Sequence, residues 1–461
     1  MLSRGGYIIK KHKLSEKEQL SLKNTLTVSP ELPNAGFVNV DDSFPVFRES
    51  QTRYRVPRFF GIKEFGYPAT DKISAGVPID LEFNGTLKKS TFQDVASEKV
   101  ISHLNAVGGG ILSLPTGYGK TCVSLYILSK MKVKTIIIVH KEFLLNQWKD
   151  RIQQFLPKAQ IGIIQKNKVD IVGKDVVIGM LQSLAMKDYS PSTFDSFGLT
   201  IIDETHHISS KVFSKALFTV CTKYMIGLSA TPIRKDGLTK VLNWFIGDII
   251  FSVQRENQNT VNVDISNFKC DEYTEDPPLN KMGKISLSTV INQLVVIEKR
   301  NNLIIDLLKK DMADNRKTIL LTDRRNHCEI LFSLVQQHIP SSTVGLYMGG
   351  MKQNELEKSE KCDIILATFS LAHEGLDIPT LDTLILASPK TDIIQSCGRI
   401  LRETVGKKNT PLIHDIVDRY ASLPSQALKR RKYYVESGFI VNGNKTKKPV
   451  KHMDSYSFIE E

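Results

Sequence analysis

The chain has 461 residues, a formal net charge of +13 and six scattered cysteines with no C-x-x-C pair. That length exceeds what one core supports and points to two or three domains, and the positive surplus favours a polyanionic partner. The cysteine pattern speaks against a zinc site or a disulfide framework and for a reducing compartment; no apolar run is long enough to span a bilayer, and the basic N-terminus lacks the apolar core of an export signal.

Residues 1–86 read as a small α+β accessory unit. A polar helical stretch runs from around Leu14 to Leu26, and Pro/Gly-punctuated aromatic segments follow, such as Phe44-Pro45-Val46-Phe47 and Pro57-Arg58-Phe59-Phe60-Gly61. From 87 to 253, short β-rich runs alternate with amphipathic helical runs. Strands are expected at Gly110–Leu114, Thr135–Val139, Ile161–Ile164, Asp175–Gly179, Leu199–Asp203, Met225–Ser229 and Ile249–Val253. Such alternation predicts a parallel sheet covered by helices. Residues 254–284 are polar and read as a strand or two plus a linker. The alternation resumes over 285–425, with helices at Leu294–Asp311, 326–338 and Ile393–Leu401 and strands at Thr318–Thr322, Val344–Tyr347, Asp363–Thr368, Thr383–Leu386 and Pro411–Ile416. Residues 426–461 form a basic extension whose run Lys429-Arg430-Arg431-Lys432 has the plain reading of a solvated helix face.

Four motifs carry chemistry. Leu114-Pro115-Thr116-Gly117-Tyr118-Gly119-Lys120-Thr121 lies between a strand and a helix and reads as a phosphate-binding loop, although Leu114 stands where the strict pattern has Gly. Its glycines let backbone N–H groups turn towards phosphates, Lys120 can reach the β- and γ-phosphates, and Thr121 can hold Mg²⁺. Asp203 and Glu204 end an apolar strand: Asp203 suits a metal held through water, and Glu204 a general base for the attacking water. Ser229-Ala230-Thr231 follows the next strand and suits a coupling element, with His206 as the connection to it. Gln395, Gly398, Arg399 and Arg402 share a helical stretch in the second domain. Arg399 and Arg402 are spaced to share one face, as a pair of arginine fingers would be. Taken singly, the last three motifs have plainer structural readings; together they complete a nucleotide site.

In this order, the motifs resemble the superfamily 2 helicases over roughly residues 87–420. The resemblance implies two tandem RecA-like domains, parallel sheets flanked by helices, preceded by the small N-terminal unit. It implies ATP and Mg²⁺ as cofactors. Nucleotide contacts fall on Gln93, Pro115, Thr116, Gly117, Tyr118, Gly119, Lys120, Thr121, Gly375 and Asp377, with Phe92 in place of the usual Tyr beside Gln93. Nucleic-acid contacts fall on His140, which stands where Pro is usual, and on Gln182, Ser183, Arg324 and Thr368; Gln147-Trp148 lies in the same backbone-contacting segment as His140. Three stretches resemble the DNA helicases of large nucleocytoplasmic DNA viruses: residues 227–237, 321–327, and His414–Asp418 with Arg430/Arg431-x-x-Tyr and Gly438-Phe439. That group includes the poxvirus helicase that releases late transcripts and is related to the UvsW and XPB repair helicases. It implies a monomeric DNA translocase of 3′-to-5′ polarity in transcript release or repair, working in the host cytoplasm or virion beside a viral RNA polymerase or transcription factors. An RNA helicase is the main alternative. A non-enzymatic scaffold fits poorly with intact Lys120, Glu204, Arg399 and Arg402, and no nuclease-sized domain is visible.

Overall fold

The computed structural model describes residues 1–30, 43–115, 117–190, 192–205, 210–230, 237–253, 261–273, 276–280, 283–376, 378–401, 407 and 409–442. The chain divides into two compact units, Met1–Gln254 and Arg255–Glu461.

The first unit opens with a small antiparallel sheet in the order Leu2–Ser3, Gly6–Lys10, Arg53–Val56, Arg48–Glu49. Residues along Arg53–Val56 alternate exposed and buried, as the two-residue period of a strand requires. Tyr7, Ile9, Tyr54 and Val56 form a core with Leu22 and Leu26 of the helix Glu16–Leu26. That helix starts in a capping box, with Ser15 and Glu18 satisfying each other's backbone N–H groups. This part is built into the unit that follows it. The buried Arg58 donates from Nη1 to the carbonyls of Thr222 and Lys223, at 3.3 and 2.7 Å, and Phe60 meets Trp244 edge-on with ring centroids 5.4 Å apart.

Behind it lies an eight-stranded sheet. Its order is Lys168–Val169, Ile161–Gln165, Val176–Met180, Thr135–Val139, Leu199–Ile202, Tyr224–Ser229, Gly109–Ser113, Ile249–Ser252. Every pairing is parallel except that of Lys168–Val169 with Ile161–Gln165, a short hairpin the apolar pattern did not reveal. The central strands are buried throughout, and separate apolar clusters pack on the two faces of the sheet. Burial on both faces is why these strands read as continuous β-branched runs with no polar alternation.

The second unit is a seven-stranded, all-parallel sheet in the order Val344–Tyr347, Ile364–Thr368, Thr318–Thr322, Thr383–Leu386, Leu412–Asp418, Asn262–Phe268, Ile440–Asn442. The stretch 254–284 supplies a strand, as expected there: Asn262–Phe268, which lies inside the sheet between two partners. The basic extension from 426 likewise contributes to the fold: Ile440–Asn442 closes the sheet edge, and the helix Leu423–Glu436 packs on it through Arg430 and Tyr434. Arg430 is 2% exposed and its fork grips Asp415 at 2.7–3.1 Å, with the Tyr434 hydroxyl donating to the same carboxylate at 3.0 Å. Of the run Lys429–Lys432, only the two lysines are exposed. Among the described residues, no helix is long and apolar enough to cross a membrane.

Candidate nucleotide and nucleic-acid sites

The strand Gly109–Ser113 runs through Leu114 and Pro115 into a loop that ends at the helix Lys120–Met131. Gly117 and Gly119 hold φ of +90° and +80°, a region that costs a residue with a Cβ. Leu114 needs no such freedom. It is fully buried, and its N–H donates to the Ser229 carbonyl at 3.1 Å, which explains why a large residue is accepted there. Lys120 donates from Nζ to the Leu114 carbonyl at 3.3 Å and lies 4.0 Å from Glu204 Oε1. Thr121 sits half-buried on the first helical turn. Thr116 lies outside the described residues.

Gln93 braces this loop. Its Nε2 donates to the Tyr118 carbonyl at 3.0 Å, and its Oε1 accepts from the Lys88 N–H at 2.9 Å. A Cβ on Gly119 would come within 2.4 Å of that Nε2, so glycine is required there for space as well as for φ. Phe92, beside it, is 37% exposed with φ of +56°.

Asp203 follows the strand Leu199–Ile202, and its carboxylate is held from two sides. The buried Trp148 donates its indole N–H to Oδ2 at 2.8 Å, and the Glu204 N–H donates to Oδ1 at 3.0 Å. Burial, and then the charge of Glu204, push the Asp203 carboxyl up to about 6. Glu204 itself takes φ of +48°, an unusual backbone state for a non-glycine residue and one that collects at functional sites. Thr205 and Ser229 are fully buried beneath, and the Thr205 hydroxyl faces the Leu228 carbonyl at 3.4 Å. His206 and Thr231 lie outside the described residues. Because the three strands are neighbours in parallel register, Asp203, Ser229 and the loop after Ser113 emerge at one edge of the sheet. The carboxyl ends of parallel strands are where such sheets bind ligands. An aspartate and a threonine hydroxyl offer the hard oxygen donors that suit Mg²⁺, and a divalent cation would offset the charge that burial opposes at Asp203.

The same edge continues past Asp203. His140 and Gln182 follow the adjacent strands Thr135–Val139 and Val176–Met180, and Gln182 Nε2 donates to the His140 carbonyl at 3.0 Å. The Ser183 hydroxyl accepts from the Lys166 N–H at 2.8 Å, and its carbonyl accepts from the Tyr189 hydroxyl at 3.0 Å. Nucleotide and nucleic-acid candidates of the first unit thus occupy two halves of one sheet edge.

In the second unit, Arg324 follows the strand Thr318–Thr322, and Thr368 ends its neighbour in register, Ile364–Thr368. Arg324 is not free to grip a phosphate as it stands. Its Nε donates to Asn292 Oδ1 at 2.5 Å and its Nη2 to the Ser288 carbonyl and hydroxyl at 2.9 and 2.8 Å. Gln395 and Arg399 lie on the short helix Ile394–Ile400 and are 9% and 8% exposed. Arg399 Nη1 donates to the Leu376 carbonyl at 2.6 Å, which brings it beside Gly375, the last residue of the helix Phe369–Gly375. Asp377 and Arg402 lie outside the described residues.

Comparison with known proteins then decides the family. Residues 86–234 match the family model described as "Type III restriction enzyme, res subunit", and residues 299–404 match that of the helicase conserved C-terminal domain. A protein of Acanthamoeba polyphaga mimivirus, named as a candidate ATP-dependent RNA helicase, is 33% identical across 97% of this chain and 88% of its own length. The chain belongs to the superfamily 2 helicases. The helicase is also 25% identical to a candidate helicase of Invertebrate iridescent virus 6, over 80% of this chain and 85% of that one. Its relatives are thus helicases of large nucleocytoplasmic DNA viruses. The solved structure of the Type ISP restriction-modification enzyme LlaBIII bound to DNA shares its fold, with a TM-score of 0.52 and 17% identity over 79% of this chain and 32% of that chain.

Several residues of this helicase escaped the sequence reading. Trp148 stands in a segment compared with a backbone-contacting motif, yet its side chain is buried and serves Asp203. The signal was present: Trp148 falls on the apolar stripe of the helix Glu142–Phe155, which follows the strand next to that of Asp203. The stretches around 321–327 and 414–418 also prove to be packing devices. Arg300 and Asp418 form a fully buried pair at 2.8 and 3.0 Å, and His327 is enclosed by Thr322 and Asn301.

Proposed function

We propose that this ATP-dependent helicase moves along DNA, with 3′-to-5′ polarity. The observation that supports the reading is the match of residues 86–234, the whole span that holds Lys120, Asp203 and Glu204, to the family model described as the res subunit of a Type III restriction enzyme. On this reading the backbone of the loop around Gly117 and Gly119 cradles phosphates, Lys120 takes the β/γ-phosphates, and Gln93 holds the loop in shape. Thr121 and, through water, Asp203 would hold Mg²⁺, which would supply neutralisation of phosphate charge. Glu204 accepts the proton of the attacking water. Arg399 and Arg402, together with Gln395, offset charge on the γ-phosphate. His140, Gln182, Ser183 and Thr368 grip one strand by its phosphates, a sequence-indifferent contact, and Arg324 joins them once it leaves Asn292 and Ser288.

The second reading is RNA as the track, favoured by the name of the mimivirus relative. Under either reading we propose work in viral transcription or DNA repair, in the host cytoplasm or virion, beside a viral RNA polymerase or transcription factor. Steady-state ATP hydrolysis with matched DNA and RNA oligomers separates the two. DNA is expected to stimulate turnover more than RNA does; stimulation by RNA alone contradicts the DNA reading.

A further inference from the structure

The small N-terminal sheet presents an unusual outer face. Arg53 and Arg55 are two residues apart on one strand, so their side chains share a face. Arg48 pairs directly with Arg55 across the sheet, and Lys10 pairs with Arg53 from the other side. Four cations therefore occupy one face, and all four are exposed. None of them forms an ion pair among the described residues, whereas Glu49, on the opposite face, is bound by Lys11 and Lys23 at 2.6 and 3.0 Å. Like charges placed directly opposite each other destabilise a strand pair, so this arrangement is costly unless something anionic covers it.

The face is one wall of a cleft of about 480 Å³. The other wall is the chain after the helix Leu181–Met186, including Lys187, Asp188 and Tyr189. Tyr189 is tied to Ser183 by its hydroxyl at 3.0 Å, so the cleft adjoins the part of the sheet edge assigned to nucleic acid. Arg48 is aimed by the structure: its guanidinium lies 5.2 Å from the Phe218 ring centroid, and Nη2 donates to the Lys215 carbonyl at 3.4 Å.

We infer that this cleft is a second nucleic-acid site, in which Arg48, Arg53 and Arg55 bind the phosphate backbone outside the motor's own track, with Lys10 beside Arg53 at its margin. The inference rests on the nucleic-acid reading of the helicase. Guanidinium forks suit phosphate oxygens, and a rise of about 3.3 Å per residue sets Arg53 and Arg55 roughly 7 Å apart, a row that takes more than one phosphate. No base edge is read by such a face, so binding there is sequence-indifferent.

The test uses the full chain with Arg48, Arg53 and Arg55 all replaced by Gln. A second variant, Lys10→Glu with Arg53→Glu, alters only exposed side chains without internal partners. Fluorescence anisotropy is measured with labelled single strands and blunt duplexes of DNA and of RNA, each roughly 20 nucleotides long, between about 50 and 200 mM salt. Each lost phosphate contact removes about 0.9 from the log–log salt slope on duplex DNA, or about 0.7 on single strands. The triple variant is therefore expected to bind at least roughly tenfold more weakly, with a slope shallower by about 2–3. Its basal ATPase should be unchanged, and its maximal stimulation should be reached only at higher nucleic-acid concentration. The arm that loses most identifies whether the cleft holds single strands or duplex. Unchanged affinity and slope in both variants, with wild-type ATPase still stimulated by nucleic acid, would overturn this site and leave the proposed function standing. Loss of binding to an acidic polypeptide such as poly-glutamate, with nucleic-acid binding intact, would overturn it in favour of a protein partner. If the wild-type chain binds no nucleic acid, the proposed function itself fails and takes this site with it.

Discussion

Lys120 and Glu204 lie within 4.0 Å of each other and are expected to fail in opposite ways. Lys120→Ala removes the phosphate ligand and should abolish phosphate release while the fold and nucleic-acid binding persist. Glu204→Gln spares Asp203 and should bind ATP well yet turn it over slowly; normal turnover in either variant contradicts the site. Trp148 offers a sharper check, because only its indole N–H reaches Asp203. Trp148→Phe keeps most of the packing and leaves Oδ2 without that donor. Groups that orient a metal ligand typically matter 10–100-fold, so the Mg²⁺ concentration for half-maximal turnover should rise by about that factor. A merely structural Trp148 would lower the unfolding temperature and leave the Mg²⁺ requirement unchanged. Much at this scale was legible in the sequence, since Gly-x-Gly-Lys-Thr and strand-terminal Asp-Glu are local patterns. The partners of Trp148 and Arg324 were not, because they are set by contacts across 55 and 32 residues of chain.

Elements were legible where burial made them apolar. All seven strands expected in the first unit are present, and the central ones were plainest because a strand covered on both faces leaves little room for polar residues. Asn262–Phe268 and Ile440–Asn442 were hard to place because they sit towards one side of their sheet and are only partly buried. The turn from Thr318–Thr322 into the helix Arg325–His338 shows what the subgroup motif does there. His327 Nε2 faces Asn301 Oδ1 at 3.1 Å, so Nε2 carries the proton, and Nδ1 accepts from the Thr322 hydroxyl at 2.8 Å. Burial, and then the charge of Arg300, lower this imidazole to about 3. As pH falls through about 6.5, the unfolded chain takes up a proton that folded His327 refuses, so stability is lost on acidification. Between pH 7 and 5 that loss is about 2 kcal/mol from this group. Denaturant unfolding of wild type and His327→Gln at both pH values checks it: the variant should be less stable at pH 7 but lose about 2 kcal/mol less on acidification. Equal losses would mean that His327 is not held neutral.

For the whole molecule, each of the two units carries half of the expected machinery. The first holds the loop, the acidic pair and three backbone-contact candidates; the second holds Gln395, Arg399 and Thr368. The division at residue 254 was legible as a compositional shift, but the roles of the flanking segments were not, since the N-terminal unit is anchored by a buried arginine and the C-terminal run by a buried ion pair. The C-terminal run read as surface charge in one dimension. If the second unit supplies charge to the γ-phosphate, Arg402→Ala should keep ATP affinity within several-fold and lose on the order of a thousandfold in turnover. Loss of ATP binding in a folded variant would instead make Arg402 a ground-state ligand. The central claim is that hydrolysis at Lys120 and Glu204 drives movement along DNA. Displacement of a labelled strand from a tailed DNA duplex measures it most directly. ATP-dependent displacement is expected from a 3′-tailed duplex and should disappear in Lys120→Ala and Glu204→Gln; displacement only from a 5′ tail, only from RNA, or undiminished in those variants would contradict DNA translocation driven from this site.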